Sequence, residues 1–198
     1  MVDVQQAPTT RGRVITYPVA LRAARRRFMG SGALAMDRLT EDLWVSRATL
    51  YRVVGSRDRL LGDVLWQLAG RTLEIARLDA DADGLRGVDR VLRVARRFDD
   101  EVGSFEPLQA YLDAEPEDAT RVLFGVTARV HRRTVAAWTD ILTSELDDGT
   151  LDPLPCGTRQ AAFALVRIGE SVLFGSMLAG VEPDRELADR LRRSVLQA

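Results

Sequence analysis

Side chains that can recognise DNA bases are concentrated in one short segment of the sequence. Four of them fall within six residues: Arg47, Thr49, Tyr51 and Arg52. Arginine can donate two hydrogen bonds to guanine O6 and N7, and threonine or alanine can contact the methyl group of thymine. Ser46, just before them, is a residue type that caps helices by accepting a backbone N–H bond. The chemistry indicated is recognition of double-stranded DNA by a short helix over residues 47–54.

The residue types that carry out catalysis are scarce and scattered. The chain has one histidine, His131, and one cysteine, Cys156, so it offers no local nucleophile–base pair and no Cys/His cluster for zinc. No glycine-rich phosphate loop follows a strand pattern. The acidic run over residues 79–83 lacks the central glycine and the closing glutamate of a calcium loop. We therefore expect no enzyme, no catalytic residue, no metal and no cofactor.

The charges are distributed unevenly along the chain. All 28 basic residues are arginines; 13 of them stand against 7 acidic residues over 1–78, and 15 stand against 22 over 79–198. A basic N-terminal part joined to an acidic remainder is typical of a protein that meets phosphate groups with one end only. The run 25–27 is either a solvated helix face or a contact to flanking phosphates. Arg11 and Arg13 either belong to a solvated arm or enter the minor groove.

The composition is that of an ordinary globular protein, with 46% apolar and 29% charged residues among 198. No apolar run approaches the ~20 residues of a membrane span. The polar N-terminus lacks the pattern of a secretory signal, and a single cysteine excludes an internal disulfide. We therefore expect a cytoplasmic protein with no membrane partner.

Apolar residues recur at helical spacing along the whole chain, and no alternating strand pattern occurs. The fold class is therefore predicted to be all-α. Residues 1–16 are predicted to be a flexible arm and residues 79–84 a loop. Glycine, proline and other breakers separate the helices, which we expect near residues 18–30, 35–43, 47–54, 57–78, 85–101, 106–114, 116–146, 158–178 and 183–197.

The second and third predicted helices are joined by the tight turn Trp44-Val45-Ser46. Two short helices joined in this way are typical of a helix-turn-helix, whose second helix lies in the major groove. Leu39 and Leu50 are expected to pack between the two helices, with Val45 filling the turn.

The segment LTEDLWVSRATLYRVVGSRDRLL, residues 39–61, resembles the DNA-binding domain of the TetR family of bacterial regulators. The matching features are Val45-Ser46, Thr49-Leu50-Tyr51, Gly55-Ser56 and Arg57-Asp58. The resemblance implies that Ser46 caps the recognition helix and contacts phosphate. It also implies that Arg47, Ala48 and Thr49 face the floor of the groove, and that Tyr51 and Arg57 hold the DNA backbone.

Three residues depart from the family pattern. Trp44 stands where the turn commonly has glycine, Val54 where an aromatic is usual, and Thr40 where alanine is common. Because glycine tolerates a positive φ angle, Trp44 either forces a different turn or stacks outward against DNA.

The resemblance also implies that the rest of the chain is a helical domain that binds a small ligand and forms a homodimer. The helix near residues 158–178 mixes small and large apolar residues, so it is either a dimer interface or buried within its own domain. A looser resemblance of this half to TetR regulators of lactone-degrading, quorum-quenching pathways implies a lactone or a similar apolar signal.

Several residues of this second part are candidates for a ligand pocket. The aromatic ones are Phe98, Phe105, Tyr111, Phe124, Trp138, Phe163 and Phe174. Arg167 either pairs with Glu170, three residues further on, or meets a polar group of the ligand. His131 is expected to be a surface or packing residue.

The sequence thus predicts an arm (1–16), a helix-turn-helix DNA-binding domain (17–56) and a helical ligand-binding and dimerisation domain (57–198). The function indicated is a transcriptional regulator, a repressor by family default, that binds a palindromic operator as a dimer and is released by a small, apolar effector. The alternative is a helical ligand-binding or protein-interaction module that does not bind DNA.

Overall fold

The computed structural model describes residues 15–197 and consists of ten α-helices over that range. They are α1 (Tyr17–Ser31), α2 (Met36–Leu43), α3 (Arg47–Val54), α4 (Arg57–Ala82), α5 (Gly87–Gly103), α6 (Glu106–Ala114), α7 (Pro116–Phe124), α8 (Val130–Asp147), α9 (Thr158–Ala179) and α10 (Arg185–Leu196). The described residues contain no strand, and the predicted all-α fold is confirmed. The predicted arm, with Arg11 and Arg13, lies almost wholly outside the described residues.

Helices α1, α2 and α3 form a small head on the first half of α4. Leu39 of α2 and Leu50 of α3 are fully buried, and Val45 in the turn packs on the same core, as the sequence predicts. Val54 at the end of α3 is also fully buried. The aromatic that is usual at its position is therefore replaced by a smaller residue without exposing the core.

The C-terminal end of α4 differs from the sequence-based expectation, because the helix continues to Ala82. Three acidic residues that were predicted to lie in a loop are on or beside its last turn and form ion pairs with arginines of α5. The pairs are Asp79–Arg97 at 3.2 Å, Asp81–Arg90 at 2.6 Å and Asp83–Arg93 at 3.1 Å. The loop prediction is wrong here, since the acidic run faces a row of cations on the neighbouring helix.

The single helix predicted over residues 116–146 is also wrong, because the chain breaks between α7 and α8. Arg129 has a φ of 62°, and Val126, which a continuous helix would place on an apolar stripe, is almost fully exposed. Ala128 is buried against α4, where a Cβ on Gly62 would lie 2.6 Å from the Cβ of Ala128. This close approach to a distant helix fixes the break, which local periodicity does not show.

Two apolar cores follow one another along α4. The first joins the head to α6 and α7, where the rings of Phe28 and Tyr111 meet edge to face with their centroids 5.9 Å apart. The second is formed by the rest of α4 with α5, α8, α9 and α10. The head therefore shares its core with residues beyond position 56, the predicted end of the DNA-binding domain.

Helix α9 is long and apolar enough to cross a membrane by length and composition. Arg167 and Glu170 interrupt it, and one side of it is buried among the neighbouring helices. Its apolar composition is therefore that of a core helix of this fold.

Candidate functional site

The short helix α3 is held in place from one side and exposed on the other. The hydroxyl of Ser46 accepts a hydrogen bond from the backbone N–H of Thr49 at 3.2 Å, which gives the helix the predicted N-cap. Leu50 and Val54 point into the core of the head. With eight residues, α3 is too short to be stable alone, so the cap and the buried pair hold it against the body.

The outer face of α3 offers polar groups to the solvent. Arg47, Ala48 and Arg52 are exposed, while Thr49 and Tyr51 are half-buried. Arg47 lies over the ring of Tyr51, with its guanidinium carbon 5.8 Å from the ring centroid, and pairs with Asp37 of α2 at 2.9 Å. Because the Arg47 side chain remains 64% exposed, this weak surface pair can be exchanged for a phosphate or a base.

Trp44 adopts the backbone conformation that glycine commonly supplies in this turn. Its φ and ψ are 55° and 47°, in the left-handed region, and its N–H donates to Glu41 O at 3.2 Å. Its side chain is 81% exposed. Trp44 therefore does not force a different turn; it retains the glycine turn under strain and directs the indole outward.

The three neighbouring arginines of α1 have different surroundings. Arg27 forms a two-nitrogen ion pair with Asp42 of α2 and donates to Arg38 O, which ties α1 to α2. Arg26 is exposed, and Arg25 lines the cavity described below. The three arginines thus do not share one role as a solvated face.

Arg57 is enclosed by acceptors from three parts of the chain. Its guanidinium donates to Leu34 O at 3.0 Å, to Glu115 at 2.9 Å and to Asp118, and the side chain is only 22% exposed. Asp118 also accepts from the Tyr111 hydroxyl at 2.7 Å. The sequence assigns Arg57 to the DNA backbone, whereas in the structure its donors are used within the protein.

The ionisation of this cluster follows from its burial and its hydrogen bonds. Burial alone would raise the pKa of Asp118, but the hydrogen bonds from Arg57 and Tyr111 outweigh it and hold that pKa below its usual value. The pKa of the Tyr111 hydroxyl is raised, first by burial and then by its bond to Asp118. The cluster is thus a fixed ion pair between the start of α4 and the α6–α7 corner.

A cavity of about 330 Å³ lies between the head and the second core and is lined mainly by apolar side chains. Five of the predicted pocket residues line it: Phe98, Phe105, Phe124, Trp138 and Phe174. Its wall also includes Arg25 and Met29 of α1. A molecule in the cavity would therefore touch the head directly.

The other three predicted pocket residues are not among the lining residues. Tyr111 is buried in the first core with its hydroxyl on Asp118. Phe163 is half-exposed on the outer face of α9. Arg167 is exposed and forms the predicted pair with Glu170 at 2.7 Å. Residue type suggested these three, but each points away from the cavity because of its place on its helix.

The cavity also has polar lining residues that the sequence analysis missed. Asp99 of α5 and Arg192 of α10 are buried and paired at 2.6 Å. His131, half-buried rather than on the surface, meets Glu170 at 2.6 Å and the edge of the Phe163 ring. The sequence does contain a signal for the Asp99–Arg192 pair. Asp99 lies four residues after the buried Ala95, and Arg192 lies four residues after the buried Ala188, so each charge is on the apolar stripe of its helix. Charges on such stripes need a buried partner.

Burial governs the ionisation of Asp99. It raises the pKa of this carboxyl to about 6, although the Arg192 guanidinium opposes the shift. At neutral pH the pair is ionised, and the carboxylate becomes protonated as the pH falls through 6.

The outer faces of α9 and α10 carry large apolar side chains. Five are exposed in this region: Phe163, Leu178, Val181, Leu187 and Leu191. Between them on α9 lie small residues such as Ser171 and Gly175, which allow another helix to approach closely. An apolar face of this kind is typical of a protein–protein interface.

The comparisons with known proteins agree with this architecture. Residues 86–197 match the family described as tetracyclin repressor-like, C-terminal domain. Among solved structures, the R. erythropolis transcriptional repressor QsdR from the TetR family is similar, with 30% sequence identity and a TM-score of 0.82. That match covers 91% of this chain and 93% of the other. No curated protein sequence matches the chain.

Proposed function

The chain belongs to the TetR family of transcriptional regulators, and from that premise we propose that it is a repressor that binds a palindromic operator as a homodimer and leaves it when a small effector fills the cavity. The observation that carries the proposal is the exposed, arginine-bearing face of α3, anchored by Leu50 and Val54 beneath it. Such a helix is positioned to enter a major groove. The protein would act in the cytoplasm, where DNA is accessible to it.

The proposed DNA contacts are divided between bases and backbone. Arg47, Ala48 and Thr49 lie at the N-terminal end of α3, the end that meets base edges in a helix-turn-helix. Ser46, Tyr51 and Arg52 are placed beside them and are proposed to hold phosphates, which fix position rather than sequence. Arg57 is left out of this interface, because the carboxylates of Glu115 and Asp118 already neutralise its charge.

The proposed dimer joins the outer faces of α9 and α10 of two copies. The occupant is a second copy of this chain because an operator with two half-sites requires two α3 helices about 34–36 Å apart. The exposed leucines at positions 178, 187 and 191 supply the apolar surface for this contact.

The proposed release works through the walls of the cavity. The cavity is lined by Arg25 and Met29 on α1 and by Leu68 and Thr72 on α4. An effector that fits one arrangement of these helices better than another shifts the population towards that arrangement. Since α3 is joined to the start of α4 by only two residues, such a shift changes the spacing of the two recognition helices.

A mobility-shift experiment with the duplex upstream of the protein's own gene tests DNA binding. The parent is expected to bind with an affinity that falls steeply as salt rises, because phosphate contacts release counterions. Arg47→Ala is expected to weaken operator binding about tenfold or more and to change base preference.

Arg93→Ala is the matched control, since this arginine is also exposed, forms a similar surface pair with Asp83 at 3.1 Å, and lies on α5, outside the proposed DNA-binding and dimer surfaces. Equal operator affinity of the Arg47→Ala and Arg93→Ala variants would contradict the assignment of α3. A parent protein that bound operator and unrelated DNA alike at all salt concentrations would contradict the repressor function.

A further inference from the structure

Part of the cavity wall is formed by a buried ion pair. Asp99 comes from α5 and Arg192 from α10, and the pair joins residues 93 positions apart in the sequence. Their side chains are 7% and 3% exposed, and both residues line the cavity. Burying two charges is unfavourable unless their surroundings satisfy them fully.

A third helix, α9, packs against this ion pair, and the absence of a side chain at Gly169 leaves room for it. A Cβ on Gly169 would lie 2.8 Å from Arg192 Nη2 and 3.3 Å from Asp99 Oδ1. Any larger residue would push the guanidinium out of line with the carboxylate. Gly169 also lines the cavity, so the ion pair and the absence of a side chain together form a polar corner in a mainly apolar wall.

This corner is incompletely satisfied. Among the described residues, Arg192 Nε is the buried side-chain nitrogen or oxygen that has no hydrogen-bond partner. A guanidinium N–H buried without an acceptor is destabilising, because it has lost water and gained nothing. A ligand group that satisfies this N–H must be a hydrogen-bond acceptor.

The charges around the cavity restrict what that acceptor can be. At the corner itself, the charge of Arg192 is matched by Asp99. The other charged residues that line the cavity are Arg25, Arg71, Glu101 and Glu170, of which Glu101 pairs with Arg97 and Glu170 with Arg167. A carboxylate group placed at this corner would bring a second negative charge next to Asp99, and an ammonium group placed there would bring a second positive charge next to Arg192. A neutral acceptor avoids both repulsions and satisfies the free N–H.

We propose that the Asp99–Arg192 corner binds a neutral carbonyl oxygen, such as that of a ketone, ester or amide, at the end of an otherwise apolar effector. The apolar part packs on Phe98, Trp138 and Leu173, which line the same cavity. The volume of about 330 Å³ is at the lower end for ligand pockets, so the effector is small. This inference rests on the proposed function only in calling the ligand an effector, because the binding itself is measured without DNA.

Four eight-carbon probes differing only in their polar group test the proposal: 2-octanone, n-octane, octanoate and octylamine. Binding to the full chain is followed by calorimetry and by tryptophan fluorescence, to which Trp138 in the cavity wall contributes together with two other tryptophans. The expected result is that 2-octanone binds at least tenfold more tightly than each of the other three. Equal binding of 2-octanone and n-octane, preference for either ion, or binding of none would overturn it.

A double variant, Asp99→Leu with Arg192→Met, removes the corner without leaving a lone buried charge. Replacing a buried ion pair by apolar residues of similar size usually preserves folding, and circular dichroism verifies it. The variant is expected to bind n-octane as well as the parent does and to lose the preference for 2-octanone. An unchanged preference would overturn the proposal.

Two single variants distinguish binding at the Asp99–Arg192 corner from a general disturbance of α10 or α9. Arg193→Met, next to Arg192 but exposed and paired with Asp89 at 2.9 Å, is expected to keep the tenfold preference. Gly169→Ala is expected to reduce it, because the new methyl group displaces the guanidinium. If Arg193→Met lost the preference and Gly169→Ala kept it, the corner would not be the binding site.

The outcome is independent of operator binding. If the protein showed the expected probe preference but did not bind its operator, the polar subsite would be supported and the proposed repressor function contradicted. If the protein bound its operator but showed no preference for the carbonyl probe, the repressor function would be supported and the polar subsite contradicted.

Discussion

Trp44 is one of two non-glycine residues with a positive φ among those described, the other being Arg129. A side chain in the left-handed region is unfavourable by roughly 1–2 kcal/mol, because its Cβ approaches the following carbonyl. The exposed indole contributes little packing to offset this. The turn between α2 and α3 therefore holds strain at the edge of the proposed DNA interface.

Glycine and alanine at position 44 separate the strain from the loss of the indole. Trp44→Gly is expected to be more stable than Trp44→Ala by about 1 kcal/mol, since both lack the ring and only alanine keeps the Cβ clash. For a chain of this length that difference corresponds to roughly 2–4 °C in Tm. Differential scanning calorimetry measures it, and equal Tm values would mean that the turn is relaxed in solution.

Asp99 gives the protein a pH dependence of unusual sign. Its pKa of about 6 in the folded chain is above the value of an unfolded aspartate, near 3.9. The folded state therefore binds the proton more tightly. The stabilisation is complete below pH 4 and is lost as the pH rises through 6. Arg192, Arg185 and Asp189 are the charged groups that act on it.

Asp99→Asn isolates this effect. The free energy of unfolding of the parent, minus that of the variant, is expected to fall by roughly 2–3 kcal/mol between pH 4 and pH 7, given about 1.4 kcal/mol per pKa unit. Urea unfolding at a series of pH values gives the difference. A difference that stayed constant or rose with pH would show that the pKa of Asp99 in the folded chain is not above its unfolded value.

At the scale of the elements, the corner between α6 and α7 connects the head to the rest of the chain. Asp118 accepts hydrogen bonds from Arg57 at the start of α4 and from Tyr111 of α6. Tyr111 in turn packs on Phe28 of α1. Helix α1 and the start of α4 are thus coupled to α6 and α7 by packing and by charge, close to the helices that enclose the cavity.

Asp118→Ala is expected to lower the free energy of unfolding by roughly 2–3 kcal/mol, because it leaves a guanidinium and a hydroxyl without their acceptor. Asp89→Ala is the control, since Asp89 forms an exposed pair with Arg193 and such pairs contribute about 0–1 kcal/mol. Urea unfolding of both variants gives the comparison. Similar decreases in the free energy of unfolding of the two variants would indicate that the interactions of Asp118 are no stronger than an exposed ion pair.

At the scale of the whole molecule, the exposed apolar faces of α9 and α10 are the proposed contact between two copies. Leu191→Glu is expected to convert the dimer to a monomer, because the new carboxylate would be buried in the contact between copies. Leu78→Glu, an equally apolar exposed position on α4, is expected to leave the dimer intact. Sedimentation velocity distinguishes the two, and a dimeric Leu191→Glu variant would exclude this face as the interface.

Local signals were sufficient for most of the helices and for the recognition motif. The cap at Ser46 and the buried Leu39 and Leu50 depend on residues close in sequence, and the structure bears them out. Local signals failed where a distant partner decided the outcome. The acidic end of α4 is helical because of arginines on α5, and the break before α8 follows from the approach of Ala128 to Gly62.

The sequence by itself determined the helical class, the helix-turn-helix and the asymmetry of charge, since capping, periodicity and composition act over a few residues or need no geometry at all. Only the tertiary structure decided the roles of the buried charges. Arg57 meets carboxylates 58 and 61 positions away, and Arg192 meets Asp99 across 93. Which charges meet depends on how whole helices pack, and residue spacing within one helix does not encode that.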